Sequence, residues 1–305
     1  MWFRNLTLYR FTEPFPMDPA PLAEALERMP FRPVGDRELQ SWGWVAPLGR
    51  NASELIHSVQ GRLLLCLQSQ ERVLPAAVVK EVADERAAEI EAEEGRTLKR
   101  RERSELRQRV FEELLPQAFT RTRRTWAYLD PAGWLIVDGA GRKPVEAFTA
   151  ALRKALGSLP IRPLQTVRDP AAAMTGWLAG DPLPDSFELE DSCELKDAEE
   201  GSVVRCKGQD LLGEEIKSHL VAGKRATRLG LIWQQRVALV LGDDLVLRRL
   251  RFLDRVQEQL DELELETPEQ AMDAEFALMG GELAELLPAV VAALGEEEGL
   301  AKNPP

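Results

Sequence analysis

The stretch FTRTRRTWAYLDPAGWLIVDG, residues 119–139, reads as strand, turn, strand. Residues 124–138 hold two apolar runs about DPAG. Asp, Pro and Gly supply the backbone conformations of a tight turn, so a β-hairpin is expected. Upstream, hydroxyl and aromatic residues alternate with Arg121, Arg123 and Arg124. Strand geometry puts Arg121 and Arg123 on one face and Arg124 on the other. At most two of the three can then meet a ligand on one face, which leaves Arg124 to pair with an acid or to meet solvent.

Outward from this hairpin the elements are mixed. MWFRNLTLYRF at the N-terminus carries a charge within its apolar run and no small-residue cleavage site, so it reads as a strand rather than a signal peptide. DPAPLAEALERM (18–29) begins with Asp and Pro and continues with helical spacing. SWGWVAPLG (41–49) reads as an aromatic turn, and GRLLLCLQSQ (61–70) as a buried strand. From Ala76 to about Leu115 there is no Pro and only Gly95, and Ala, Glu, Arg and Leu dominate. This polar, helix-favouring segment is expected as two helices hinged near Gly95 that project from the body.

On the C-terminal side, RKPVEAFTAALRKALGSLP (142–160) is an amphipathic helix ending at Gly157. A strand at 161–167 and a helix at 169–179 follow. Strands are expected in 186–195 and 201–211, with a helix over 213–223. Residues 225–253 read as two long strands about GDD. Residues 268–294 read as a pair of helices, and 295–305 as a frayed tail. Without regular βαβ alternation the fold class is α+β, with mixed antiparallel sheets, packed helices and a projecting helical tip. The expected parts are 1–75 with 116–165, the tip 76–115, a second α+β part 166–295, and a flexible acidic tail 296–305.

The formal net charge of −12 conceals a partition. Residues 96–124 hold ten bases against four acids, 142–168 six against one, and 205–255 eleven against six. Residues 181–200 hold nine acids against one base, and residues after 256 hold thirteen against one. Electrostatic attraction decays over about 10 Å at 0.1 M salt, so a basic face can bind phosphate while a distant acidic one does not interfere. The acids of 181–200 and the tail are expected on the outside. No uninterrupted run of about 18 apolar residues calls for a membrane span, and three scattered cysteines suggest a reducing cytosol.

Catalytic patterns are sparse. No Gly-rich loop ends in GK[ST], GAGRK (139–143) lacks the third glycine of a dinucleotide fingerprint, and Ser158 stands outside a GxSxG elbow. His57 and His219 are the only histidines, and no Cys cluster accompanies them, so neither zinc nor another cofactor is expected. Asp243 and Asp244 are the best carboxylate pair for a metal-dependent nuclease, but they fit a β-turn better. A non-enzyme is expected.

Several stretches, in order and at nearly constant spacing, resemble the RdgC family of bacterial recombination-associated proteins. They are MWFRNLTLYR, GWVAPLG, LLPQAFTR, LRKALGSLPIRPL, KGQDLLGEEIKSHLVAGK, WQQRV, LRRLRF and DAEFALMGGELAELL. The resemblance runs from residue 1 to about 295. It implies a ring-forming homodimer that encircles duplex DNA without sequence specificity, is found at the cytoplasmic nucleoid, and restrains RecA. It also implies that Phe119, in LLPQAF, serves a dimer contact, an ordinary core Phe being the alternative. Gln209 and Lys224 match DNA-facing positions. Gly208 stands where a second lysine is expected, and Lys207 is the neighbour able to compensate. The surrounding basic segments add Arg225, Arg228, Arg248, Arg249, Arg121 and Arg123 as candidate DNA contacts. Single-stranded DNA and direct contact with RecA remain open, as does an adaptor that binds a protein partner through the 76–115 tip.

Overall fold

The computed structural model describes residues 2–49, 52–263, 265 and 267–298, with the backbone alone at Asp261. β1 (Leu6–Phe11) leads to α1 (Pro19–Glu27), whose N-cap Asp18 accepts a hydrogen bond from the Ala20 amide. Then come β2 (Gln40–Val45), β3 (Ile56–Val59), β4 (Arg62–Val73), α2 (Ala76–Glu94) and α3 (Arg100–Leu114). The opening hairpin is β5 (Phe119–Asp130) and β6 (Trp134–Asp138), as its turn chemistry predicts. α4 (Arg142–Leu156), β7 (Ile161–Pro163), α5 (Pro170–Ala179), β8 (Phe187–Asp197), β9 (Val203–Lys207) and α6 (Glu214–Val221) follow. The chain continues through β10 (Lys224–Trp233), β11 (Val237–Gly242), β12 (Leu247–Phe252), α7 (Asp254–Asp261) and α8 (Pro268–Ala293). The fold is α+β, and its strand pairings within the sheet are antiparallel.

One sheet runs β2-β4-β5-β6-β1-β12-β11-β10-β8-β9, with β3 beside β4 and β7 beside β1. The two halves meet where Leu6 of β1 faces Leu247 of β12. Alternation along β4 sorts the core. Leu63, Leu65 and Leu67 face α1 and α4, packing with Leu26, Phe148 and Leu152. Leu64 faces the other way, into a cluster with Tyr128, Trp177 and Trp233 that α5 and α8 cover. No residue of β8–β12 belongs to the α1/α4 cluster. Among the described residues that face of the second half-sheet is therefore left without a helix.

α2 and α3 pack on each other through a small cluster of their own, including Val79, Ala83, Leu106 and Val110. Gly95, near which the two helices are expected to hinge, caps α2 in the left-handed region with φ of +64°.

Four expectations are corrected. Residues 41–49 are not simply a turn, because Gln40–Val45 forms β2 on the sheet edge against β4. Gly43 is there because the 29–31 segment crosses it: a Cβ would come within 2.3 Å of the Phe31 nitrogen. Residues 225–253 form three strands, since Gln234 and Gln235 turn the chain with φ of +47° and +55°. Such a turn is usually signalled by Asn or Gly, and two glutamines hide it. Residues 268–293 are one helix rather than a pair. The Gly280–Gly281 step is not a break: Gly280 makes room for Arg62, whose Cδ would lie 2.7 Å from an added Cβ. By length and composition α8 could cross a membrane, but Phe276, Met279, Leu283 and Leu286 are fully buried in the protein core.

The fourth correction concerns the start of the expected tail. Glu297 is buried, forms a bridge to Thr166, and pairs with Arg10 at 2.9 Å and Arg162 at 2.8 Å. A buried carboxylate needs such partners, and two guanidiniums hold this end of the chain down. Residues 299–305 lie outside the described part. Gly43→Ala is expected to lower stability by about 2 kcal/mol through backbone overlap at Phe31, read as a lower denaturant midpoint. An unchanged midpoint would contradict the close approach.

Candidate nucleic-acid interface

Strict alternation would send neighbouring arginines to opposite faces of a strand. Two bulges prevent this. In β12, Leu247, Leu250 and Phe252 all enter the core, so the spacing is three and then two. The register against β11 slips between Ala238 and Val240. Arg249 takes φ of +53°, a conformation costly to a side chain other than Gly, Asn or Asp. As a result Arg248 and Arg249 both lie on the helix-free side. In β10, Ala226 and Leu229 are buried at a spacing of three, with a slip between Ala226 and Arg228, which turns Arg228 the same way.

These side chains converge. A surface hollow of about 220 Å³ is lined by Arg205, Lys207, Arg228, Arg248 and Arg249, with Glu194 as its acid. Beside it a hollow of about 1000 Å³ shares Lys207 and Arg249 and adds Trp2, Arg4, Asn5 and Arg251. Of the expected DNA contacts, Lys207, Arg228, Arg248 and Arg249 are brought together, and Arg4, Arg205 and Arg251, not among those expected, line the same two hollows. The alternation in VVRCK places Arg205 and Lys207 on one face and could have found the first of the two strand arginines. Arg251 sits two residues beyond a bulge that composition does not reveal.

The charges are not equally free. Arg205 Nε donates to Glu194 at 2.7 Å, and Arg228 reaches the same carboxylate at 3.4 Å. Arg251 pairs with Glu190, and Arg248 grips Asp244 with two bonds of 2.6 and 2.7 Å. Among the described residues no carboxylate pairs with Lys207 or Arg249. The expectation that the 181–200 acids stand away from the basic residues does not hold for Glu190 and Glu194. β8 is hydrogen-bonded between β9 and β10, so Glu190 and Glu194 stand among the arginines and neutralise part of them.

Lys224 and Arg225 lie apart from the two hollows. Lys224 sits opposite Asp197, 3.7 Å from its carboxylate, and donates to Ser202 Oγ at 2.9 Å. Arg225 lies 3.5 Å from Asp169, the N-cap of α5. Gln209 is exposed just after β9, with its backbone N–H donating to the Asp191 carbonyl. Gly208 has φ of +69°, so a lysine at that position would be strained.

The FTRTRRTW stretch forms an arm. β5 pairs with β6 only over Ala127–Asp130, while Phe119–Trp126 pair with β4 alone. At its end Phe119 is 88% exposed, opposite the exposed Val73. It is not a core residue. Arg121 pairs with Glu71, whereas Arg123 has no carboxylate partner among the described residues. Arg124, on the other face, donates to the Gln68 amide oxygen at 2.8 Å rather than to an acid. Of the two arginines predicted to share a face, one is thus already neutralised.

Asp243 and Asp244 form the β11–β12 turn. Asp244 Oδ1 accepts the Val246 amide at 3.2 Å, and Leu245 has φ of +59°. Burial pushes the Asp243 carboxyl up, helped by its neighbour's charge. For Asp244 burial acts the same way, but the bonds from Arg248 outweigh it and hold this carboxyl low. The pair is therefore split and anchored by an arginine. Among the described residues no group of three or more His, Cys, Asp or Glu is placed to hold a metal. His57 is 2.8 Å from Asp273, joining β3 to α8.

Sequence comparison covers nearly the whole chain. The profile of a family described as "Putative exonuclease, RdgC" matches residues 1–297. A protein of Tolumonas auensis named "Recombination-associated protein RdgC" is 45% identical over 300 residues, covering 98% of this chain and 99% of its own length. Proteins of the same name from Aeromonas hydrophila and Laribacter hongkongensis are 44% and 46% identical, covering 98% and 97% of this chain and 99% of theirs. With a profile match over nearly its full length and relatives above 40% identity end to end, the chain belongs to the RdgC family.

Proposed function

We propose that this protein binds DNA without reading sequence and closes around the duplex as a ring-shaped homodimer. Bound in this way at the nucleoid, it restrains RecA by obstructing its loading or extension, and thereby modulates homologous recombination. What carries this reading is the helix-free face of β8–β12, on which two bulges gather Arg228, Arg248 and Arg249 beside Lys207. Lys and Arg that neutralise phosphates release counterions, giving affinity that is indifferent to sequence and sensitive to salt. Arg249 and Lys207, which have no carboxylate partner among the described residues, are the strongest phosphate ligands. Arg228 and Arg248 contribute less, because Glu194 and Asp244 already hold them. Encirclement needs two contacts between subunits. Phe119, held out on the β5 arm, suits one of them: a large exposed aromatic is the residue type that anchors an interface.

The wording of the family description favours a second reading, a nuclease. Its best carboxylates, Asp243 and Asp244, are committed to a turn and to Arg248, so binding without cleavage is the function proposed. A third reading, an adaptor acting through the α2–α3 tip, rests on that pair's separate small core.

Affinity for duplexes of unrelated sequence should fall steeply and alike with salt, the duplex staying intact with Mg²⁺ present. Arg249→Gly should reduce the slope of log K against log salt by about 1. It should leave the fold as stable or about 1 kcal/mol more stable, since glycine accepts the left-handed conformation. A salt-independent affinity, or cut DNA, would contradict the proposal. Phe119→Ala should raise the dimer dissociation constant at least about tenfold in sedimentation. An unchanged constant would remove Phe119 from the interface.

A further inference from the structure

Cys193 of β8 and Cys206 of β9 are direct partners across the antiparallel pair. Opposed residues in such a pair have Cα atoms about 4.5 or 5.5 Å apart, inside the roughly 4.4–6.8 Å window a disulfide spans. Both cysteines are free thiols. Both side chains lie on the core side of the hairpin, Cys193 buried in the main cluster and Cys206 packed against it but partly exposed. β9 is the edge of the sheet, so Cys206 is reachable from outside. The third cysteine, Cys66, is fully buried in β4.

We propose that Cys193 and Cys206 are an oxidative modification site, a cross-strand pair that a peroxide converts to a disulfide. The Cys206 sulfur, as its thiolate, attacks one peroxide oxygen. The O–O bond breaks, the other oxygen leaves as hydroxide and takes a proton, and Cys206 becomes a sulfenic acid. The Cys193 thiol then attacks that sulfur, the S–O bond breaks, and the departing hydroxide takes the Cys193 proton as water. Two thiols are oxidised by two electrons, and one peroxide is reduced to two hydroxyl-level products. The order of attack follows from the surroundings. Burial, together with the nearby Cys206, pushes the Cys193 thiol up to about 12, so it stays protonated until the sulfenic acid forms beside it.

The bond would staple the edge strand to β8 from behind. On the opposite face the same two strands carry Glu194, Arg205 and Lys207. β9 is held by hydrogen bonds to β8 alone, so a covalent link fixes the position of the one unpaired lysine of the basic face. The consequence for DNA rests on the function proposed above; the chemistry of the pair does not.

Peroxide treatment of the full chain tests it, followed by intact mass and thiol titration after unfolding. The expected result is loss of two hydrogen atoms and a fall from three titratable thiols to one, both reversed by a dithiol reductant. Cys206→Ser and Cys193→Ser should each abolish the intramolecular bond, with Cys193→Ser leaving a sulfenic acid at Cys206 that a dimedone probe labels. Cys66→Ala should keep the bond. Three thiols still titrating, a bond formed only between chains, or a bond persisting in Cys206→Ser would overturn the proposal. Amide exchange in β9 should slow at least severalfold in the oxidised chain, a readout independent of DNA. Unchanged exchange would overturn the stapling.

Discussion

A strand shows alternate side chains to opposite faces, and one extra residue reverses everything beyond it. The second half of this sheet depends on that constraint. In β10 and β12 a single extra residue lets the apolar positions on both sides of it reach the core. The arginines between are forced out together. Arg249 accepts a left-handed backbone to make this possible. Such strain persists only where the surroundings over-determine it, as the core contacts of Leu247 and Leu250 do here. Without the bulges, β12 would bury a guanidinium or expose a leucine, and the helix-free face would lose its charge density.

The other face is set by apolar packing. α5 and α8 pack on one side of the sheet, leaving β2 and the β4–β5 arm outside their cluster, while α1 and α4 cover the opposite side of the first half only. The uncovered area is thus a product of helix count and placement, not of a missing core. Acids from β8 enter this area and neutralise Arg205, Arg228 and Arg251. The face is held in shape by internal ion pairs, and among the described residues Lys207 and Arg249 carry no carboxylate partner.

Much of the fold was legible. The DPAG hairpin and the two tip helices with their break near Gly95 follow from residue types that have one strong conformational preference each. The failures share a cause. β2 was hidden by a glycine kept for close approach, the Gln234–Gln235 turn by residues rarely chosen there, and the continuity of α8 by two glycines serving Arg62. In each case a tertiary neighbour, absent from local pattern, decides the role of the residue. At the site, Lys207, Arg228, Arg248 and Arg249 are basic residues whose convergence on one hollow local pattern does not show, and which arginines are already paired depends on β8 lying beside β10, a long-range pairing. The 119–126 stretch shows both limits: its strand and its alternation are local facts, whereas the exposure of Phe119 and the Arg121–Glu71 pair are set by β4.

Encirclement is the central claim, and topology tests it without reference to any one contact. The protein should be loaded on covalently closed circular DNA and on the same DNA linearised, then challenged with high salt. A closed ring predicts retention on the circle, prompt loss from the linear form, and release of the retained protein when the circle is cut once. Equal loss from both forms would contradict a ring and leave a protein that binds DNA only from one side.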